Sequence, residues 1–253
     1  MNGEPDFRLD GLMPGDEESE FAESMMWPGD LTLVAEHHTT PNGSHSFFVV
    51  HDRSMTWGVP GSPQLVAVKI ARDLDARTFT VESENHAALG FAQNWLIERG
   101  CPPGPITRLS SDFVQPADDQ TIRVEQQIRN SGDRYKVLDT LTSDGYPYET
   151  WTMVRDSLAS QDPIRVFLEE ADLAADSYTV REGAFPDEDA ALQWLDDRDT
   201  PLPEPPEYRG DPAVLRTRAA LARSAGSTTS PGTGPSVEAP ASVPARPTPG
   251  RSM

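Results

Sequence analysis

The chain has 253 residues, a formal net charge of −20, five tryptophans, nine phenylalanines and one cysteine. A chain this acidic repels a nucleic-acid backbone, which excludes non-specific DNA or RNA binding; a single cysteine, Cys101, excludes an intrachain disulfide and fits a reducing compartment. No apolar run approaches the roughly 18 residues of a membrane-spanning helix; Phe47-Phe48-Val49-Val50 is among the longest. The basic residues are almost all arginine, with only Lys69 and Lys136 as lysines, and with the abundant Ala, Gly, Pro and Asp this suggests a GC-rich bacterial genome.

Residues 1–27 read as an acidic, disordered leader: Asp16-Glu17-Glu18-Ser19-Glu20 runs into Phe21, Met25, Met26 and Trp27. The polar start, Met1-Asn2-Gly3-Glu4-Pro5-Asp6, has none of the features of a signal peptide, so the expected location is cytoplasmic.

Residues 28–106 form a first α+β repeat. Strands are predicted at 31–38, 46–52, 55–58, 65–71 and 78–82, the first two joined at Asn42-Gly43, where a positive φ is cheap. A helix follows, because Ala88, Phe91, Ala92, Trp95, Leu96 and Arg99 recur at helical spacing; Gly100 and Pro102-Pro103 end it. Residues 107–118 are a linker.

Residues 119–205 repeat the pattern, with strands at 121–129, 134–142, 149–154, 164–168 and 178–181, a hairpin turn at Ser131-Gly132, and a helix opened by Pro186 with Asp187-Glu188-Asp189 in its first turn. Three anchors carry the duplication. Thr32-Leu33-x-Ala35-Glu36-His37-His38 matches Thr121-Ile122-x-Val124-Glu125-Gln126-Gln127; Thr56-Trp57 matches Thr150-Trp151; and Phe79-Thr80-Val81 with Trp95-Leu96 matches Tyr178-Thr179-Val180 with Trp194-Leu195. In the last pair, thirteen residues separate Val from Trp in both copies, which places Trp95 and Trp194 between helix and sheet. The predicted fold is therefore α+β: a tandem duplication of a small antiparallel sheet with one helix on a face. Residues 206–224 are a linker and a short basic helix carrying Arg216, Arg218 and Arg223, and 225–253 are a disordered Pro/Ser/Gly-rich tail.

No nucleotide, hydrolase or metal motif is present, and no catalytic, cofactor-binding or metal-binding residue is assigned. Cys101 has no base beside it in sequence. His37 and His38 point to opposite faces of a strand, so at most one could join His45 or His51 around a metal. The residues predicted to line a groove between the copies are Glu36, His37, His38, His51, Glu125, Trp57 and Trp151. Three functions are consistent with this inventory. The leading one is a non-enzymatic interaction or regulatory protein with a protein partner, no cofactor and no membrane contact. The alternatives are an acidic DNA mimic that inhibits a DNA-binding protein, and an enzyme or small-molecule binder using the groove. A site is expected where the two copies disagree.

Overall fold

The computed structural model describes residues 3–25, 28–40, 43–143 and 145–210. Residues Met1–Arg209 form one compact unit; the predicted basic helix and the Pro-rich tail lie outside the described residues, as do Met26, Trp27 and Asn42.

The chain folds as a tandem duplication. The first repeat runs β1 (Met13–Pro14), α1 (Glu17–Met25), β2 (Leu31–His38), β3 (His45–Asp52), α2 (Met55–Gly58), β4 (Leu65–Asp73), β5 (Thr78–His86) and α3 (Leu89–Glu98). A one-turn helix, α4 (Pro103–Ile106), precedes the second: β6 (Gln115–Pro116), α5 (Asp119–Arg129), β7 (Tyr135–Thr142), β8 (Glu149–Asp156), β9 (Ile164–Asp172), β10 (Ser177–Phe185) and α6 (Glu188–Asp197). The five-stranded sheets have orders β1-β5-β4-β3-β2 and β6-β10-β9-β8-β7, a four-strand antiparallel meander with a two-residue parallel strand added at one edge. Both sheets carry a register irregularity at the same place, between Leu33 and Ala35 and between Val137 and Asp139.

The helix after the short strand is held in both copies by the same device. Asp16 accepts from the Ser19 amide at 2.7 Å, and Asp118 accepts from the Thr121 amide at 2.8 Å. The Ser19 hydroxyl then accepts the Val81 amide at 2.9 Å, and the Thr121 hydroxyl accepts the Val180 amide at 3.1 Å. The hydroxyl thus satisfies an edge-strand donor that the two-residue strand does not reach.

This arrangement corrects several expectations. Residues 13–25 are not a disordered leader but the opening strand and helix of the first repeat. Residues 121–129 are helical: Thr121, Val124, Glu125 and Ile128 are spaced as one helix face and all are buried. Gly132, at φ 56°, leaves that helix instead of turning a hairpin, and β7 pairs with β8. The first anchor therefore matches a strand to a helix and fails. So does the second, since Thr56-Trp57 lies in α2 and Trp151 in β8. The third holds: Phe79 opposes Arg72, and Tyr178 opposes Ala171 at the same step of the equivalent ladder. Asp187, read as a first-turn residue, is the N-cap of α6 and accepts from the Ala190 amide at 2.8 Å.

Helix α3 joins the repeats. Leu89, Ala92, Trp95 and Leu96 pack with Val34, Phe47, Val49 and Ala67 of the first sheet. From its other side, Ala88 and Phe91 enter the core of the second repeat with Val124, Ile128, Tyr135 and Phe167. Asn94 and Gly132 exchange two hydrogen bonds of 3.0 and 3.1 Å, and Arg129 donates to Gln93 at 3.1 Å. Gly90 sets the distance, because a Cβ there would stand 2.9 Å from Ile128 Cβ. Gly90→Leu should therefore lower unfolding stability by roughly 1–3 kcal/mol through overpacking, measured by urea denaturation; an unchanged midpoint would show that α3 and α5 can separate freely.

Candidate functional site

The repeats differ most at the corner where β7, β8 and β9 end. In the first repeat the equivalent corner is filled. Arg72, on β4, donates to Gly43 O at 2.9 Å, Ser46 Oγ at 2.8 Å, Arg8 O at 3.1 Å and Phe7 O at 2.5 Å, and so clamps the N-terminal segment across the sheet end. Beside it, the hydrogen-bonded His38–Ser46 pair (2.7 Å) and the buried Ile70 complete the packing.

In the second repeat the matching positions hold Ala171, the opposed Thr142 and Thr150, and Glu169. With no counterpart of Arg72 to fill it, the corner is a cleft of about 520 Å³, lined also by Tyr148, Glu149 and Leu173. Its facing wall comes from the first repeat and the segment that follows it: His51, Arg53, Thr56, Trp57, Gln64, Leu65 and Phe113. Gly61 pairs with Thr142 across the junction, the Thr142 amide donating to Gly61 O at 3.0 Å.

Arg53 and Glu149, the latter paired with Arg198 at 3.0 Å, also line the cleft, and burial shifts two other polar groups toward their neutral forms. Burial lowers the His51 pKa below the usual imidazole value. Its Nε2 lies 3.2 Å from Gln64 Oε1, an acceptor, so the proton sits on Nε2; Gln64 Nε2 in turn donates to Thr56 Oγ1 at 3.2 Å. Burial, reinforced by the nearby Glu125 carboxylate, pushes the Glu169 carboxyl up to about 8. At neutral pH Glu169 is mostly protonated and can donate a hydrogen bond. The Thr142 hydroxyl is buried with no hydrogen-bond partner.

Of the residues predicted for a groove, the structure brings His51 and Trp57 to this cleft. Glu125 is elsewhere, buried on α5, where it accepts from the Tyr178 hydroxyl at 2.5 Å and lines a separate pocket of about 530 Å³ under α3. It is not the counterpart of Glu36, which lies exposed on β2 within 3.3 Å of His38. His37 stacks near Phe47 with ring centroids 6.2 Å apart, and Trp151 belongs to the core beneath α6. Among the described residues, no group of three His, Cys, Asp or Glu side chains is placed to hold a metal ion. Cys101 is buried in the first core, which pushes its thiol up to about 12. No described helix is long and apolar enough to cross a membrane.

Glu169, Thr142 and Tyr148 are cleft residues that the sequence reading missed. One signal for Glu169 was available. Arg165, Phe167 and Glu169 alternate along β9, and Phe167 fixes that face as the buried one. No family model, curated protein or solved structure matches the chain.

A titration checks the state of Glu169. Its folded pKa, about 8, lies above the ordinary carboxyl value of 4.5, so the native state keeps a proton that the unfolded chain releases. Its contribution to stability is full below about pH 4.5, declines as pH rises, and is lost above about pH 8. Glu169→Gln should match the wild-type melting temperature near pH 4.5 and exceed it progressively up to pH 8.5. Melting curves that stay parallel across that range would place an ionised carboxylate in the cleft.

Proposed function

We propose that the protein is a non-enzymatic interaction module that binds a partner protein through the cleft between its repeats, in a reducing, cytoplasmic setting. The observation that carries this reading is the pair of aromatic residues at the cleft, one from each repeat. Trp57 on α2 is 75% exposed and Tyr148 at the start of β8 is 40% exposed. Large aromatic side chains held in water at the edge of a concave, partly apolar surface are the residues that most often carry binding energy between proteins. Phe113, Leu65 and Leu173 extend the apolar lining between them.

The test is affinity capture with the full-length chain as bait in an extract of the source organism, followed by titration calorimetry on the identified partner. Trp57→Ala combined with Tyr148→Ala should weaken that partner's binding at least tenfold while leaving the melting temperature within a few degrees, because both side chains are solvent-facing. Equal binding by wild type and double variant would refute the assignment of this cleft.

A second reading is supported by one specific feature. The cleft volume of about 520 Å³ falls within the roughly 300–1,000 Å³ of small-molecule pockets, and its lining includes the unpartnered Thr142 hydroxyl and, two strands away, the Glu169 carboxyl. A small metabolite that spans β8 with polar groups at both ends would meet both. Thermal-shift screening should then find a compound that raises the wild-type melting temperature by mass action and fails to raise that of Thr142→Val. A flat response across common metabolites would leave the protein-partner reading standing.

A further inference from the structure

The second difference between the repeats lies on the same face of each sheet, toward the other end of the strands and beside α1 and α5. In the second repeat this groove is plugged. After α6 the chain returns along β10, the Ala184 amide donating to Pro203 O at 2.9 Å, and ends in a turn at Pro206–Gly210. The Tyr208 hydroxyl lies 2.6 Å from Gln127 Oε1 and 2.5 Å from Glu182 Oε2, and Glu207 accepts from the buried Arg165 at 2.7 Å. Asp156 stands 3.5 Å from the same arginine and is paired with Arg134 at 2.6 Å.

The first repeat has the same groove without the plug. Chain order and sheet register put Val66 where Arg165 stands, Ser83 where Glu182 stands, Leu31 where Tyr135 stands and Met25 where Gln127 stands. Past α3 the chain turns into α4, which packs on β2, so no returning segment reaches the groove. An apolar groove of about 620 Å³ is left, with Val66, Val68 and Val81 along its floor and Phe21 and Met25 on the α1 side. Phe21 is 67% and Met25 66% exposed. The rim is acidic: Glu18, Asp52 and Glu84 line it, and among the described residues none of these three is paired with a lysine or arginine. Glu82, also on the rim, is already held by Lys69 at 2.7 Å and Arg99 at 3.4 Å.

We infer that this groove is a second docking site, for a segment of a partner protein that inserts an aromatic or large aliphatic side chain and carries lysine or arginine beside it. Repeat two supplies the template for the insertion, a turn that sends one tyrosine between the helix and the sheet. The replacement of Arg165 by valine makes the floor apolar, so the inserted side chain needs no polar end. The unpaired carboxylates of the rim select the basic flanks.

The experiment is selection of a displayed library of random twelve-residue peptides on the immobilised full-length protein, with affinities then measured by fluorescence anisotropy. Enriched peptides should share an aromatic or large aliphatic residue next to Lys or Arg. They should weaken at least tenfold on Phe21→Glu or Met25→Glu and weaken as salt rises. They should be indifferent to Trp57→Ala, which separates this site from the cleft between the repeats. Both groove variants alter exposed side chains, and unchanged circular dichroism confirms their fold. No enrichment, enrichment of acidic peptides, or peptides insensitive to both groove variants would overturn the proposal. So would a dimer in light scattering that Phe21→Glu converts to monomer, since a second copy would then be the occupant.

Discussion

The structure depends on one helix being buried from two sides. Helix α3 covers the first sheet with Leu89, Ala92, Trp95 and Leu96 and enters the second core with Ala88 and Phe91. A helix that is apolar nearly all round is stable only where it is enclosed, and here each repeat supplies half of the enclosure. Small α+β units of this size bury little apolar surface alone, so sharing α3 stabilises both. The counterpart, α6, presents a different outer face. The positions matching Ala88, Gly90 and Phe91 are Asp187, Asp189 and Ala190, so the outer face of α6 carries acid where α3 carries its contact with α5. A third repeat or a second copy placed head to tail would have to bury those carboxylates unpaired.

Because α3 fixes the two sheets against each other, the consequences of sequence divergence become local. Each repeat has a sheet-end corner and a helix-side groove, and each repeat fills a different one. Repeat one fills its corner with Arg72 and the residues around Phe7, and leaves its groove apolar. Repeat two fills its groove with Arg165, Glu182 and the Glu207–Tyr208 turn, and leaves its corner open. In both filled sites an arginine on the β4 or β9 strand is the central donor, and in both open sites its place is taken by an apolar residue. Arg165 is fully buried, and removing one partner from such a network costs far more than the pair itself contributes, about 3–5 kcal/mol. A filled site is therefore difficult to lose by single substitutions.

The part of this fold legible in the sequence was the part held by packing against a helix. The spacing from Val81 to Trp95 and from Val180 to Trp194 is preserved because one strand-to-helix connection must return a tryptophan to the sheet, and that register is the one that holds. The failures have equally local causes. Residues 121–129 read as a strand because Ile122 and Val124 alternate with polar residues, while the face actually buried includes Thr121 and Glu125, which no apolar stripe reveals. Their burial is made possible by hydrogen bonds to Val180 and Tyr178, more than fifty residues away. Residues 13–25 read as disordered because their charge is high. What orders them is the Asp16 cap and one buried serine, Ser19, whose value lies in the Val81 amide it satisfies. Of the groove residues, His51 and Trp57 were named from the sequence as groove candidates; Glu169 required knowing which face of β9 is inside.

The acidity of the chain acquires a structural meaning from this distribution. Charge of one sign over most of the surface disfavours self-association and leaves uncharged concave surfaces as the places where a partner can dock. In the cleft between the repeats burial shifts His51 and Glu169 toward their neutral forms, and the charged residues that also line it, Arg53 and Glu149, are of opposite sign. The groove beside α1 is apolar within and anionic at its edge. The two concavities therefore differ physically: the first is lined by aromatic, polar and oppositely charged side chains, the second by apolar side chains with acid at its edge. Two copies of one fold, diverged at two arginine positions, thus present two different concave surfaces within one compact unit.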